Sequence, residues 1–267
     1  MLSYQHIYHA GNAADVQKHL WLVSSLQFLK KQKRPVTWLD THAGRGLYDL
    51  SCKEAQRLGE YKTGFRTYRD KRQHAKELDD AEKTYLKLVA DLNQKRRGLY
   101  PGSALITAQL LDKSDKLALC ELHKGEIEHL KKALAPYKNT KIHKQSGYDL
   151  LSDIARQAPS GGVLIDPSYE VKSEYEQVLQ SVTNALALWP TGLFLIWYPL
   201  LPAGHHMDIV KGFQSLKTSY TQNIQIEECQ LRPAGSGERG LYGTGMIIIN
   251  GPKTSFRPLL ETTLAFK

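Results

Sequence analysis

Seven short apolar runs, most of them separated by stretches of helical periodicity, restrict this chain to a layered α/β fold. They are VTWLD (36–40), KLALCE (116–121), KIHK (141–144), VLID (163–166), LFLIWY (193–198), IQIEECQL (224–231) and GMIIIN (245–250). Most are near-continuously apolar rather than alternating, as strands covered on both faces are. Helical spacing marks 14–31 ahead of the first run, and 124–135, 147–157, 173–188 and 205–217 between later ones. Strand alternating with helix predicts a parallel, doubly wound sheet. The last two runs differ, because the loop RPAGSGERGLYGTG between them is too poor in helix formers for a crossover. They are expected to pair as an antiparallel hairpin.

Segment 49–100, between the first two strands, is far longer than an ordinary connection. Apolar Leu78, Ala81, Tyr85, Leu88 and Leu92 recur in it at helical spacing. It reads as a small helical insertion on one edge of the sheet, within a single domain spanning 1–267. Residues 57–98 hold twelve Lys and Arg against seven Asp and Glu, over half of the chain's net charge of +9. That excess fits a nucleic-acid clamp or a solvated helix face, and both readings stay open. Cys52, Cys120 and Cys229 are scattered, with no C-x-x-C pair, so neither a disulfide framework nor a metal site is expected. A reducing, cytoplasmic setting follows. The start MLSYQHIYHAGN lacks a signal-peptide core, and no window approaches the apolar length of a membrane span.

Four strand ends carry candidate chemistry. The first runs into LDTHAGRG (39–46), where Gly44 and Gly46 allow a tight turn close to a ligand. A G-x-G-x-x-G fingerprint fails because Asp49 stands at its third glycine, which disfavours a dehydrogenase. His42 in this loop reads equally as a turn residue bonding to backbone. Glu121 ends the second strand, where one carboxylate can accept both hydroxyls of a ribose, although a surface acid also fits. Ser103, after a Pro-Gly turn, reads as a helix N-cap. Ser146 and Gly147 follow the third strand, where related folds contact an adenine ring.

The fourth strand ends on Asp166-Pro167-Ser168-Tyr169, the strongest local signal. Enzymes that methylate exocyclic amines end this strand on Asp-Pro-Pro-Tyr. The lone pair of such an amine is delocalised into its ring, so the nitrogen is a poor nucleophile. Two acceptors aimed at its N–H bonds, the Asp166 carboxylate and the Pro167 carbonyl, favour the pyramidal form and receive its growing positive charge. A face-on Tyr169 would hold the flipped base by stacking, worth roughly 1–3 kcal/mol. A plain strand-end turn is the competing reading. The pair His205-His206 fits no zinc pattern, and no G-x-S-x-G elbow supports a serine hydrolase.

The leading segment MLSYQHIYHAGNAADVQKH, with LDTHAGRG, EYKTG, YPGS, ELH, LIDPSYE, WYP and GMIIIN, closely resembles the RlmJ family. These landmarks run in order over essentially the whole chain. That family comprises bacterial 23S ribosomal RNA adenine-N6 methyltransferases dependent on S-adenosylmethionine (SAM). The resemblance implies a monomeric class I, Rossmann-like methyltransferase fold with seven strands, the last antiparallel, and a helical insertion between strands one and two. It implies action on adenine in 23S ribosomal RNA not yet packed with proteins, without metal or membrane. By the same resemblance, His19, His42, Ser103, Glu121, Ser146, Gly147 and Asp166 contact the cofactor. It also implies that Asp166, which the reading of the strand end joins with Pro167 and Tyr169, is the catalytic residue, and that Tyr4 touches the RNA. The segment before the first helix would order over the cofactor. Ser146 departs from the family's usual Asp, and Ser168 from its second proline, which loosens the loop. DNA adenine, cytosine N4 or a protein glutamine amide remain alternative targets, and a non-catalytic RNA-binding protein an alternative class. Only the resemblance selects RNA over DNA.

Overall fold

The computed structural model describes residues 4–216, 223–233 and 240–264. All seven expected strands form, as β1 (Thr37–Asp40), β4 (Lys116–Cys120), β5 (Thr140–His143), β6 (Gly161–Ile165), β7 (Leu193–Leu200), β8 (Ile224–Gln230) and β9 (Gly243–Ile249). Two more short strands, β2 (Leu47–Asp49) and β3 (Leu99–Pro101), pair with each other outside the main sheet. The main sheet runs in the order β5-β4-β1-β6-β7-β9-β8. Its pairings are parallel except at β9, which is antiparallel to both β7 and β8. The predicted hairpin is therefore present, although residues 234–239 of its loop lie outside the described residues. So do residue 217 of the expected fourth crossover helix and the first three residues of the leading segment.

Strand residues alternate between two cores, as a period of two requires. Trp38, Leu117, Leu164, Leu195, Met246 and Ile248 face the layer of α1 (Ala13–Lys30) and α5 (Ser103–Leu110). Leu39, Val163, Ile165, Phe194, Ile196 and Ile247 face the opposite layer. That second layer is built by α7 (Gly147–Gln157), α8 (Ser173–Leu188) and α9 (His206–Leu216). Helix α6 (Lys124–Leu134) links β4 to β5, and α10 (Arg257–Leu264) follows the last strand. Buried Glu227 on β8 ties α1 to the segment before α10, accepting from Trp21 Nε1 at 2.7 Å and from the Phe256 N–H at 2.9 Å.

The long second segment holds α2 (Lys53–Leu58), α3 (Phe65–Arg72) and α4 (Asp80–Lys95). It does not hang from a sheet edge: α4 packs on α1, over one face of the sheet. Ala81, Tyr85 and Val89 of α4 and Phe65 and Tyr68 of α3 belong to the same core as the α1 side of the sheet. The ribbon β2–β3 closes the neck of this segment, a feature without a signal in the helical spacing of 78–92. A capping box starts α4, with Asp79 accepting from the Glu82 N–H and Glu82 reaching back to the Asp79 N–H.

Candidate active site

The chain leaves β1 toward β4 and β5 on one side of the sheet, while β6 and β7 lie on the other. A crevice opens at the carboxyl ends of strands wherever the order reverses in this way. Here it is a cavity of about 420 Å³. Its wall gathers Tyr4, His19, His42, Ser103, Glu121, Ser146, Gly147, Asp166, Pro167 and Ser168, residues far apart in sequence.

At the β1 end, Gly44 adopts φ +58°, and a Cβ there would lie 2.6 Å from the Tyr48 hydroxyl. The turn brings the Gly44 N–H to 2.9 Å from Glu121 Oε2, while Glu121 Oε1 accepts from the His123 N–H at 2.7 Å. Each oxygen spends one lone pair on backbone and keeps one for a ligand. Glu121 is half-buried, not a surface acid, and burial raises its pKa. Gly147 lies so close to Thr41 that a Cβ would stand 2.4 Å from the Thr41 side chain, which is why only glycine fits here. Ser146 is the N-cap residue of α7 but makes no side-chain capping bond.

His42 bonds not to backbone but to the Thr41 hydroxyl at 2.8 Å, and burial lowers its pKa to about 4. Ser103 corrects the capping reading: Gly102 is the N-cap of α5, without a side-chain cap. Its hydroxyl instead donates to buried Asp40 Oδ2 at 2.6 Å. Spending its proton inward leaves the Ser103 oxygen as an acceptor on the cavity wall. Burial lifts Asp40 to a pKa of about 7, opposed by the Ser103 hydrogen bond.

Asp166 Oδ2 lies 2.5 Å from Lys18 Nζ, and Lys18 also pairs with Asp15 Oδ1 at 2.9 Å. Burial raises the Asp166 pKa, and Lys18 opposes it. Burial alone would lower Lys18, but its two carboxylates overcome this and hold its pKa well above the usual value. Asp15 is further fixed by His6 Nε2 at 2.9 Å and the Gly11 N–H at 2.8 Å. Tyr4 reaches the same cluster, its hydroxyl 2.8 Å from His6 Nδ1 and its ring stacked on His9 at 5.6 Å.

Tyr169 is where the structure corrects the sequence. Its ring does not line the cavity; it is buried against Tyr175, with centroids 4.3 Å apart, and its hydroxyl donates to the Trp197 carbonyl at 2.8 Å. Its φ of +52° turns the side chain out of the cavity and into the α8 side of the core. The aromatic surface beside Asp166 belongs to Trp197, half-buried on the cavity wall with Lys18 Nζ 5.9 Å from its ring, and to Tyr4. Lys18, Asp15, Asp40 and Trp197 were not singled out by sequence reasoning. The readable signal for the first two was DVQKH, polar and charged side chains at the start of a helix whose remainder is mostly apolar.

This strand order and a cavity at its switch point define a class I methyltransferase. The family model described as "Ribosomal RNA large subunit methyltransferase D, RlmJ" matches residues 33–264. The chain belongs to that family. It is 35% identical over 257 residues, 95% of this chain and 89% of the relative, to ribosomal RNA large subunit methyltransferase J of Haemophilus influenzae. It is 33% identical to the protein of the same name from Escherichia coli, over 94% of this chain and 88% of that one. A crystal structure of a Legionella pneumophila protein is similar at a TM-score of 0.83 and 31% identity, covering 96% of this chain and 94% of that one.

The methyl donor of such an enzyme is SAM, and the donor set of the cavity fits it. Glu121 offers two oxygens to a ribose, Gly147 leaves room for a flat ring, and Ser103 offers an acceptor to an ammonium group. Among the described residues no group of three or more His, Cys, Asp or Glu side chains could hold a metal, and no helix is long and apolar enough to cross a membrane.

Proposed function

We propose that this chain methylates the exocyclic N6 of an adenine in 23S ribosomal RNA, before that RNA is packed with protein. The observation that carries the reading is Asp166, placed at the carboxyl end of β6 on the cavity wall with one oxygen paired to Lys18. Among the described residues Oδ1 of Asp166 makes no protein hydrogen bond, so it is available to an amine N–H. The Lys18 ammonium opposes the burial that raises the Asp166 pKa, and so favours a carboxylate acceptor at the reacting nitrogen. The Pro167 carbonyl is the second acceptor in this reading.

SAM supplies an electrophilic methyl group on a sulfonium. The chain supplies alignment: Glu121 and Gly147 hold the nucleoside end, and Asp166 holds the amine on the opposite side of the transferred carbon. As the amine attacks, the carbon–sulfur bond would break to leave S-adenosylhomocysteine. The fixed Asp166 carboxylate would stabilise the charge growing on nitrogen without reorganisation, and the surplus N–H proton would pass by way of Asp166 to solvent. Trp197 and Tyr4 give the base a stacking surface, the role expected of Tyr169. Choice of RNA follows the family and the names of its relatives.

The test is incubation of the chain with labelled SAM and protein-free ribosomal RNA, with mass spectrometry of the modified nucleoside. N6-methyladenosine in the large-subunit RNA is expected, and Asp166→Ala should abolish it. Circular dichroism at the assay temperature checks that the variant, which loses one side of the Lys18 pair, is folded. Label entering DNA and not RNA would overturn the substrate.

A further inference from the structure

His19 stands on α1 with its imidazole on the cavity wall and its Nδ1 3.0 Å from the Tyr100 hydroxyl. Tyr100, on β3, lies in turn 2.7 Å from the Tyr85 hydroxyl of α4. The two tyrosines come from the ribbon and the helix that separate β1 from β4, whereas His19 belongs to the main layer. All three are buried, at 1% exposure for His19 and 0% for both tyrosines. Neither hydroxyl has another hydrogen-bond partner among the described residues.

The donor directions follow from counting protons. If His19 Nδ1–H donated to Tyr100, one tyrosine proton would be left in the apolar core with no acceptor: that of Tyr85 if Tyr100 donates to it, that of Tyr100 if its oxygen accepts from both. Buried hydroxyl protons are rarely left so, because the group loses water and gains nothing. In the opposite direction every proton is used: Tyr85 donates to Tyr100, and Tyr100 to Nδ1. A neutral imidazole that accepts at Nδ1 carries its proton on Nε2. Burial lowers the His19 pKa to about 3, so the ring is neutral and has a tautomer to choose.

We propose that Tyr85 and Tyr100 are positioning residues for the methyl donor: they lock His19 as the Nε2–H tautomer, a donor aimed into the cavity at the carboxylate of the methionine tail. The inference rests on SAM as the bound cofactor and on its orientation. With the nucleoside at Glu121 and Gly147 and the sulfonium beside Asp166, the amino-acid tail falls on the wall made by Ser103 and His19. Ser103 then meets the ammonium as an acceptor, and His19 meets the carboxylate as a donor. The segment that looks like an accessory to the fold thus reaches the cofactor through a two-hydroxyl relay.

The experiment is calorimetric titration of the full chain, and of Tyr100→Phe and Tyr85→Phe, with S-adenosylhomocysteine and with methylthioadenosine, which lacks the amino-acid tail. Tyr100→Phe is expected to weaken S-adenosylhomocysteine by about threefold to tenfold, and Tyr85→Phe by less, as befits loss of one fixed hydrogen bond. Methylthioadenosine affinity is expected to stay within about twofold, since it cannot reach His19. Equal losses for both ligands would make the tyrosines merely structural and overturn the proposal, as would no loss for either. Nitrogen-15 NMR of the parent imidazoles reads the tautomer directly, whether or not the variants fold. A His19 signal with the proton on Nε2 is expected, and a proton on Nδ1 would overturn the relay. A parent chain that binds neither nucleoside would instead overturn the cofactor assignment beneath it.

Discussion

Replacing Lys18 by methionine would keep most of the side-chain volume but strip buried Asp15 and half-buried Asp166 of the cation they share. Asp15 retains His6 and the Gly11 N–H, whereas Asp166 has no other charged partner in direct contact among the described residues. Its pKa, already raised by burial, then loses the main influence that lowers it and rises further. Because the proposed reaction needs the carboxylate, the acid limb of the pH–rate profile should move to higher pH in Lys18→Met. Activity at neutral pH is expected to fall by at least about tenfold, part of it returning toward pH 9 as Asp166 ionises. A loss of the same size at every pH would show that Lys18 only holds the fold together. The melting temperature is the needed control, since breaking a buried pair from one side costs about 3–5 kcal/mol. The sequence displayed Asp166 openly, because its tetrad is contiguous. It concealed Lys18, because the pair spans two elements 148 positions apart.

At the scale of elements, the loop after β6 shows why a motif predicts chemistry better than it predicts side-chain direction. Asp166 and Pro167 reach the cavity as their order after a strand implies, but one residue at positive φ sends Tyr169 into the core. No local pattern announces that turn, since a tyrosine seldom adopts φ near +52° unless surrounding packing demands it. The packing is here: Tyr175 of α8 against its ring, and the Trp197 carbonyl of β7 on its hydroxyl. That anchor bears on Ser168, where the family pattern has proline. A proline stiffens a loop that would otherwise wander. This loop is already pinned at both ends, by the Lys18–Asp166 pair and by Tyr169, so Ser168→Pro is expected to change turnover by less than about tenfold. Steady-state rates on protein-free ribosomal RNA measure it, and a larger rise would mean that the loop is under-organised despite its anchors. The same limit applied to Ser103. A Pro-Gly turn before a serine is a sound capping signal, yet Asp40 in the adjacent strand outcompeted the helix for its hydroxyl.

Across the whole molecule, the layer order was legible because burial on both faces of a parallel sheet leaves continuous apolar runs. The placement of the long inserted segment was not. Its helical spacing marked an apolar face, but a spacing cannot say which surface that face will cover. The answer is α1, and the same segment also touches the cavity wall. Glu60 accepts from His9 Nδ1 at 2.9 Å and from Asn12 at 3.2 Å, and both partners line the cavity. Around this junction Lys53, Arg57, Lys62 and Arg66 are exposed, with the Arg66 guanidinium 5.1 Å from the Tyr61 ring. If RNA binds with its base at Asp166, its phosphates would pass near this junction, where exposed cations would displace the counterions of the RNA. Reversing Arg57, Lys62 and Arg66 to glutamate should therefore weaken RNA binding strongly at low salt. It should also flatten the dependence of log affinity on log salt by about 0.7 for each phosphate that is no longer neutralised, the single-strand value. S-adenosylhomocysteine affinity should be unchanged, because none of the three lines the cavity. Fluorescence titration of a labelled ribosomal RNA fragment across a range of salt concentrations measures both effects. An unaltered slope would place the RNA path elsewhere and return these charges to the solvated face that the sequence equally allowed.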